Sequence, residues 1–359
     1  MINRDRLVKT FLELVKIDSP SGEEKKIAKE IIRRLDALGG SVERDAYGNI
    51  IAKFIGVGEP LMINAHLDTV EPGRGIKPVI QGDKITSDGG TILGGDPKAG
   101  VSAILEALTS LKEEKHKYVP LEVVFTLGEE IGLLGAKNLD YNKLTAKRGV
   151  SFDGDKDVAT ITTAAPGYNR VDVTIIGRSA HAGAEPEKGI SAIKIGAEII
   201  SKLETGRIDH ETTANVGLIE GGSALNAVAE RLHFMAEIRS RDLKKLEKHS
   251  LHFEEVLNEV MQKYPKAKIE LEVVREFDPY LFEENHNVIQ QVKKTLSRIG
   301  LKPKLEPTGG GMDVNIFHAH GLEVVCVGVG DYEAHTTREY VLIPEMLQAA
   351  QFCETILKI

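Results

Sequence analysis

The sequence predicts an α/β protein, a mixed central sheet flanked by helices, with a ferredoxin-like α+β domain inserted into it. Three observations carry this prediction. Short apolar runs alternate with helical periodicity as far as residue 165. After Pro166-Gly167 the order changes to strand–helix–strand–strand–helix–strand, and near residue 286 the first pattern resumes. A chain of 359 residues also exceeds what one hydrophobic core usually serves. The expected domains are therefore 1–165 with 279–359, and the insert 166–278.

Residues 4–16 read as a helix because Leu7, Val8, Phe11, Leu12 and Val15 share one face. Ser21 to Glu24 has capping-box spacing, and Ile27, Ile31, Leu35 and Leu38 follow at helical intervals until Gly39-Gly40 ends the run. Apolar runs at 49–54, 61–65, 121–127 and 150–152 read as strands, with a helix over about 98–112 between the second and third. In the insert, Val171, Val173 and Ile175 alternate with polar residues, as in a half-exposed strand. Helices follow at about 189–203 and 243–264, and strands at 215–220, 232–239 and 269–274. A helix near 286–299, a strand at 324–329 and a helix from about Pro344 complete the first domain.

Composition narrows the function. With 42% hydrophobic and 28% charged residues the chain resembles an ordinary soluble globular protein. No apolar run approaches the ~18 residues of a membrane span, so no membrane partner is expected. The N-terminus enters an amphipathic helix pattern at once and lacks a signal-peptide apolar region. Cys326 and Cys353 lie in apolar stretches and read as buried free thiols, which favours a reducing cytoplasm. The net charge of -8, without a basic stripe, argues against nucleic acid as a partner.

The chemistry sits at strand ends. His66-Leu67-Asp68 directly follows the strand at 61–65, and open α/β sheets bind ligands beyond the carboxyl ends of their strands. Residues two apart in extended chain point the same way, so Asp68 can accept a hydrogen bond from His66 and fix its tautomer. Alone, such a pair more often marks a satisfied structural histidine. Gly94-Gly95-Asp96-Pro97-Lys98-Ala99-Gly100 opens a helix, with Asp96 either its N-cap or a carboxylate turned into a cleft. Its glycine and lysine order does not match a phosphate loop, and the Asp96-Pro97 bond can be cis at little cost. Glu129-Glu130 leaves the strand at 121–127, either as two solvated acids or as a ligand beside a group that holds a water. Asp153 ends the strand at 150–152, and His335 lies beyond the strand at 324–329. Each is ordinary alone; metal-capable groups after four strands of one sheet are not. Two histidines and three carboxylates suit zinc, cobalt or manganese. One shared carboxylate would let such a set hold two ions ~3.5–4 Å apart around a bridging water. A second glutamate nearby is the expected general base.

In combination these motifs resemble the di-zinc exopeptidase and deacylase superfamily, and most of all its peptidase T branch of tripeptide aminopeptidases. The resemblance spans essentially the whole chain. It rests on His66-Leu67-Asp68-Thr69, on Ser87 to Asp96, on Gly128-Glu129-Glu130 and on His335-Thr336-Thr337-Arg338-Glu339-Tyr340. It implies that Asp96 bridges two divalent ions, most simply Zn2+. His66 and Asp153 would complete one site, and Glu130 and His335 the other. Glu129 would be the general base, and Asp68 would orient His66. Family members carry a cis peptide just after the bridging aspartate, usually before another acid; here Pro97 stands at that place. Ser179-Ala180-His181-Ala182-Gly183 resembles the lid motif whose histidine holds the scissile carbonyl oxygen, and Asn226 and Arg239 match other lid positions. Gly309-Gly310-Gly311-Met312-Asp313 resembles a substrate loop, with Asp313 equally readable as a helix N-cap. The implied partners are a short peptide substrate and a second copy of the chain, joined through the lid domain.

The favoured activity is therefore an aminopeptidase that releases N-terminal residues from short peptides. An N-acyl amino acid deacylase or a carboxypeptidase on the same scaffold is the alternative, because all three share the amide chemistry. The related tetrahedral aminopeptidases insert a domain between the first histidine and the bridging aspartate. Only residues 67–95 lie there in this chain. A non-catalytic binding protein has no use for the complete ligand set with Glu129.

Overall fold

A computed structural model describes residues 1–359. The chain forms two compact units, Met1–Thr163 with Phe282–Thr308 and Met312–Ile359, and Ala164–Leu281 with Gly309–Gly311. No helix is long and apolar enough to cross a membrane.

The first unit is built on a mixed sheet. Across its centre the strand order is Ser41–Arg44, Ile50–Phe54, Leu121–Thr126, Leu61–His66, Arg148–Gly154 and Glu323–Gly328. The last four run parallel, and Ile50–Phe54 pairs antiparallel with Leu121–Thr126. Every residue of Leu61–His66 and of Leu121–Thr126 is buried, which is why these strands read as continuous apolar runs rather than alternating ones. The helix Gly95–Glu114 is buried along most of its length. Gly100 lets it approach the sheet, because a methyl group there would collide with the Phe152 carbonyl oxygen. The first helix, Arg4–Val15, is capped by Asn3, whose side chain accepts from the Arg6 N–H, and buries Leu7, Phe11 and Leu14. Lys25–Leu38 ends at Gly39, in the left-handed region at φ 95°.

A separate four-stranded sheet carries the last part of the site. Its order is Asp331–Tyr332, Tyr340–Leu342, Lys84–Thr86 and Val79–Gln81. Asp331–Tyr332 and Tyr340–Leu342 pair antiparallel, so residues 333–339 form the connection between them. These short strands were not among the sequence-based expectations, since two- and three-residue pairings leave too little periodicity to read.

The second unit has the strand order Gly206–Arg207, Thr212–Gly221, Arg231–Ser240, Gly167–Ile176 and Lys268–Phe277, all antiparallel. Without the two-residue first strand this is the ferredoxin-like order. Helices Ala192–Lys202 and Leu243–Lys263 cover it, placing Ile195, Ile199, Phe253 and Leu257 against Val171, Val173, Ile175 and Phe234. Each of these fully buried side chains contributes ~1.5–3 kcal/mol relative to exposure. Gly309–Gly311 clusters with this unit, and a side chain at Gly311 would strike the Phe277 ring.

Three local readings need correction. Ser21 does not cap the helix Lys25–Leu38. Its hydroxyl donates to Asp68, and the N-cap Glu24 makes no capping hydrogen bond with its side chain. Asp96 is not an N-cap either. Gly94 holds that place, and Asp96 keeps a non-helical backbone at φ −76°, ψ 111° beside a cis Asp96–Pro97 bond. Met312 caps Asp313–Ala319, leaving Asp313 as the first helical residue.

Candidate metal centre

The four parallel strands deliver the side chains to one end of the sheet. His66 is the last residue of Leu61–His66, and Asp153 lies near the end of Arg148–Gly154. Glu129 and Glu130 follow Leu121–Thr126, and His335 follows Glu323–Gly328 on the connection between Asp331–Tyr332 and Tyr340–Leu342. Asp96 enters from the start of the long helix.

Asp96 joins two clusters. Its Oδ1 lies 2.9 Å from His66 Nε2, which is also 3.1 Å from Asp153 Oδ1. Its Oδ2 lies 3.2 Å from His335 Nε2, which is also 2.9 Å from Glu130 Oε1. His66, Asp96 and Asp153 bring one donor atom each within 4.8 Å of one another, and so do Asp96, Glu130 and His335. Two three-donor sets of nitrogen and oxygen that share one carboxylate fit two divalent ions.

Asp68 lies beneath this set, fully buried, and both of its oxygens are saturated. Oδ1 faces His66 Nδ1 at 3.3 Å and accepts the Glu129 N–H at 3.0 Å. Oδ2 accepts the Ser21 hydroxyl at 2.7 Å and the Glu130 N–H at 3.2 Å. An ionised carboxylate offers about four acceptor sites, and here all are used. Burial pushes the Asp68 carboxyl up, but the bonds from His66, Ser21 and the Glu129 N–H outweigh it and hold the group below its ordinary range.

The electrostatics reflect crowded acids. Burial raises the Glu129 carboxyl well above its usual value; His66 pulls it down, and Asp153, Asp313 and Glu130 push it further up. Burial opposes the imidazolium of His66, yet Asp153, Asp68 and Asp96 keep its pKa well above the ordinary one. Hydrogen bonds to Asp96 and Glu130 raise His335 to about 10. Asp96, although buried, is held well below the carboxylate range by His335 and His66.

Sequence reasoning named no role for Glu339. This buried carboxylate accepts the N–H groups of Leu93, Gly94 and Asp96 at 2.6, 2.8 and 3.0 Å. It thereby ties the His335 connection to the Asp96 turn. The available signal was an acid inside the His335-to-Tyr340 motif, at the start of a strand. His335 itself has φ 64°, a left-handed conformation that such anchoring must sustain. Asp313, fully buried, accepts the Thr126 hydroxyl, and its other oxygen has no hydrogen-bond partner.

The structure therefore brings together His66, Asp68, Asp96, Glu129, Glu130, Asp153 and His335. The other expected site residues, His181, Asn226, Gly309 and Gly310, belong to the second unit. There, an isolated bridge pairs His181 with Ala227, and the Ala182 N–H donates to the Asn226 carbonyl at 2.9 Å.

Residues 62–359 match peptidase family M20/M25/M40. The chain belongs to this family. Within it, the chain lies near the peptidase T branch. Over 99% of its length it is 38% identical to the aminopeptidase PepT of Bacillus cereus, covering 98% of that chain at a TM-score of 0.89. Over the same shares of the two chains it is 36% identical to a tripeptidase of Staphylococcus aureus, with a TM-score of 0.93. It is also 39% identical to the uncharacterized protein YqjE of Bacillus subtilis, over 100% of this chain and 99% of that one. Membership of the family makes it a peptidase hydrolase.

Proposed function

We propose that the chain is a cytoplasmic two-metal aminopeptidase that releases N-terminal residues from short peptides. The observation that carries this is the placement of Asp96, one carboxylate oxygen toward each imidazole–carboxylate pair. The end-to-end likeness to proteins named aminopeptidase and tripeptidase supports the peptide substrate.

In this reading His66, Asp96 and Asp153 hold one divalent ion, and Asp96, Glu130 and His335 the other. Zinc suits the donor set, and cobalt or manganese would also fit it. When bound, the ions supply Lewis-acid polarisation of the scissile carbonyl and of the attacking water. Glu129 would take a proton from the attacking water and pass it to the leaving amine. Asp68 keeps a proton on Nδ1 of His66, so that Nε2 is free to bind. In the inserted domain, which we assign as the lid, His181 Nδ1 accepts from the N–H groups of Gly183 and Ala184 at 3.2 and 3.0 Å. The ring proton is therefore on Nε2, the tautomer needed to donate to a developing oxyanion, a contact worth ~3 kcal/mol. Asn226 and the backbone of Gly309 and Gly310 are assigned to peptide binding.

A second copy of the chain is the partner we assign to the inserted domain. Strand Thr212–Gly221 is flanked on its outer side only by Gly206–Arg207, which pairs with Ala214 and Thr213. Beyond that pairing, Leu218 and Ile219 are exposed. The opposite edge, Lys268–Phe277, carries Lys268, Glu270, Glu272 and Arg275, charges that discourage pairing.

The activity is tested with one tripeptide, with its N-terminus free or acetylated. Release of the N-terminal residue from the free form is expected. Cleavage of the acetylated form alone, or release of the C-terminal residue first, would instead assign a deacylase or a carboxypeptidase.

A further inference from the structure

We propose that Ser21 is a positioning residue of the metal centre, acting through Asp68 on His66; this rests on the two-metal reading above. The Ser21 hydroxyl makes the shortest of the four contacts to Asp68, 2.7 Å against 3.0, 3.2 and 3.3 Å. It is also the only one of the four that comes from outside the segments 66–68 and 129–130. Without it, Oδ2 keeps only the Glu130 N–H at 3.2 Å, so the Asp68 carboxylate is held less firmly against the His66 ring.

The segment that presents Ser21 is pinned on every side. The Thr69 N–H donates to the Ser19 carbonyl at 2.9 Å, beside a bridge between Pro20 and Thr69. The ammonium of Lys98, a fully buried side chain, donates to the Ile17 carbonyl at 3.1 Å. Glu24 Oε1 accepts the N–H groups of Gly22 and Gly128 at 2.9 and 3.1 Å. Gly22 adopts φ 86°, a turn that returns the chain toward Glu24 and that a side chain there would strain. Residues 17–24 thus form a strap touching the segment after His66, the helix after Asp96 and the turn before Glu129. A hydroxyl held by so many independent ties has lost its freedom on folding, so it restrains Asp68 at little further entropic cost. Groups that orient a metal-binding histidine typically affect metal affinity ~10–100-fold. Ser21 acts one step further out, and the low end of that range, ~10-fold, is expected.

The test uses full-length protein stripped of metal and titrated calorimetrically with Co2+, for wild type, Ser21→Ala and Ser21→Thr. Wild type is expected to take two ions per chain. In Ser21→Ala the affinity for one of the two falls ~10-fold while the other holds. Ser21→Thr, which keeps the hydroxyl, restores it. The melting temperature of the stripped protein is expected to match in all three, and kcat on a tripeptide to fall in Ser21→Ala with KM unchanged. Equal affinities in wild type and Ser21→Ala would overturn the proposal. So would an equal loss at both sites accompanied by a lower melting temperature of the stripped protein, the signature of a merely structural serine. Binding of fewer than two ions by wild type would overturn the two-metal reading itself, and the role of Ser21 with it.

Discussion

Protonation at single residues decides what this centre can do. In the proposed mechanism Glu129 holds a proton in transit; in the metal-free protein, burial together with Asp153, Asp313 and Glu130 raises its proton affinity. Replacing it by glutamine should lower kcat by ~10²–10⁴. Metal content, read by elemental analysis, should stay near two ions per chain, because Glu129 is no ligand in this scheme. Retained turnover would refute the assignment. His335 makes a second prediction. Its pKa, raised from 6.5 to about 10, means the ring is charged at neutral pH in the metal-free protein. Its contribution to metal-free stability is therefore complete below pH 6.5 and is lost as pH rises through about 10. Ion binding needs the neutral ring, so loading at pH 7 should release protons and the apparent affinity should rise with pH. Calorimetric titration with Co2+ in two buffers of different ionisation enthalpy measures those protons; identical heats would count against the prediction.

At the scale of elements, the helix Gly95–Glu114 and the strand Arg148–Gly154 set the distance between Asp96 and Asp153. Gly100 controls that approach, because an added methyl group meets the backbone oxygen of Phe152, the residue before Asp153. Alanine is favoured over glycine within a helix by ~1 kcal/mol. The obstacle is backbone, however, and cannot swing aside, so overpacking of ~1–3 kcal/mol should win. Gly100→Ala is thus expected to lower stability in urea unfolding and to weaken metal binding together. The extents of most elements were legible in the sequence. The helix expected at about 98–112 spans Gly95–Glu114, and the strand at 61–65 is Leu61–His66. Illegible were the uses of polar residues near element ends. Ser21 and Glu24 have capping-box spacing, but a partner 47 residues away takes the hydroxyl. The spacing is local and the competing acceptor is not.

At the scale of the whole molecule, the proposed assembly of two copies rests on the two edges of the inserted sheet. The exposed Leu218 and Ile219 on a largely unpaired edge favour pairing between copies, and the charged opposite edge does not. Light scattering should give the mass of a dimer for wild type. Leu218→Asp should shift it toward the monomer while leaving Co2+ stoichiometry unchanged. A monomeric wild type would remove the proposed interface.

The sequence by itself determined which side chains were available for chemistry and where along the chain they stood. Apolar runs mark strands because a parallel sheet buries both faces, and a polar or charged residue at the end of such a run stands out. His66, Glu130, Asp153 and His335 follow strands in that way, Asp96 stands in the glycine-rich turn that opens a helix, and their roles as a set came from the family resemblance. Only the tertiary structure decided how they meet. That Asp96 turns one oxygen to His66 and the other to His335 depends on side chains 30 and 239 positions away (96 − 66 and 335 − 96). That Glu339 accepts three N–H groups of the Asp96 turn, and that Ser21 completes the shell of Asp68, depend on equally distant partners. Periodicity reports only the forces between near neighbours in the chain. Contacts between distant segments are fixed by packing of the sheet and its helices, which no local spacing encodes.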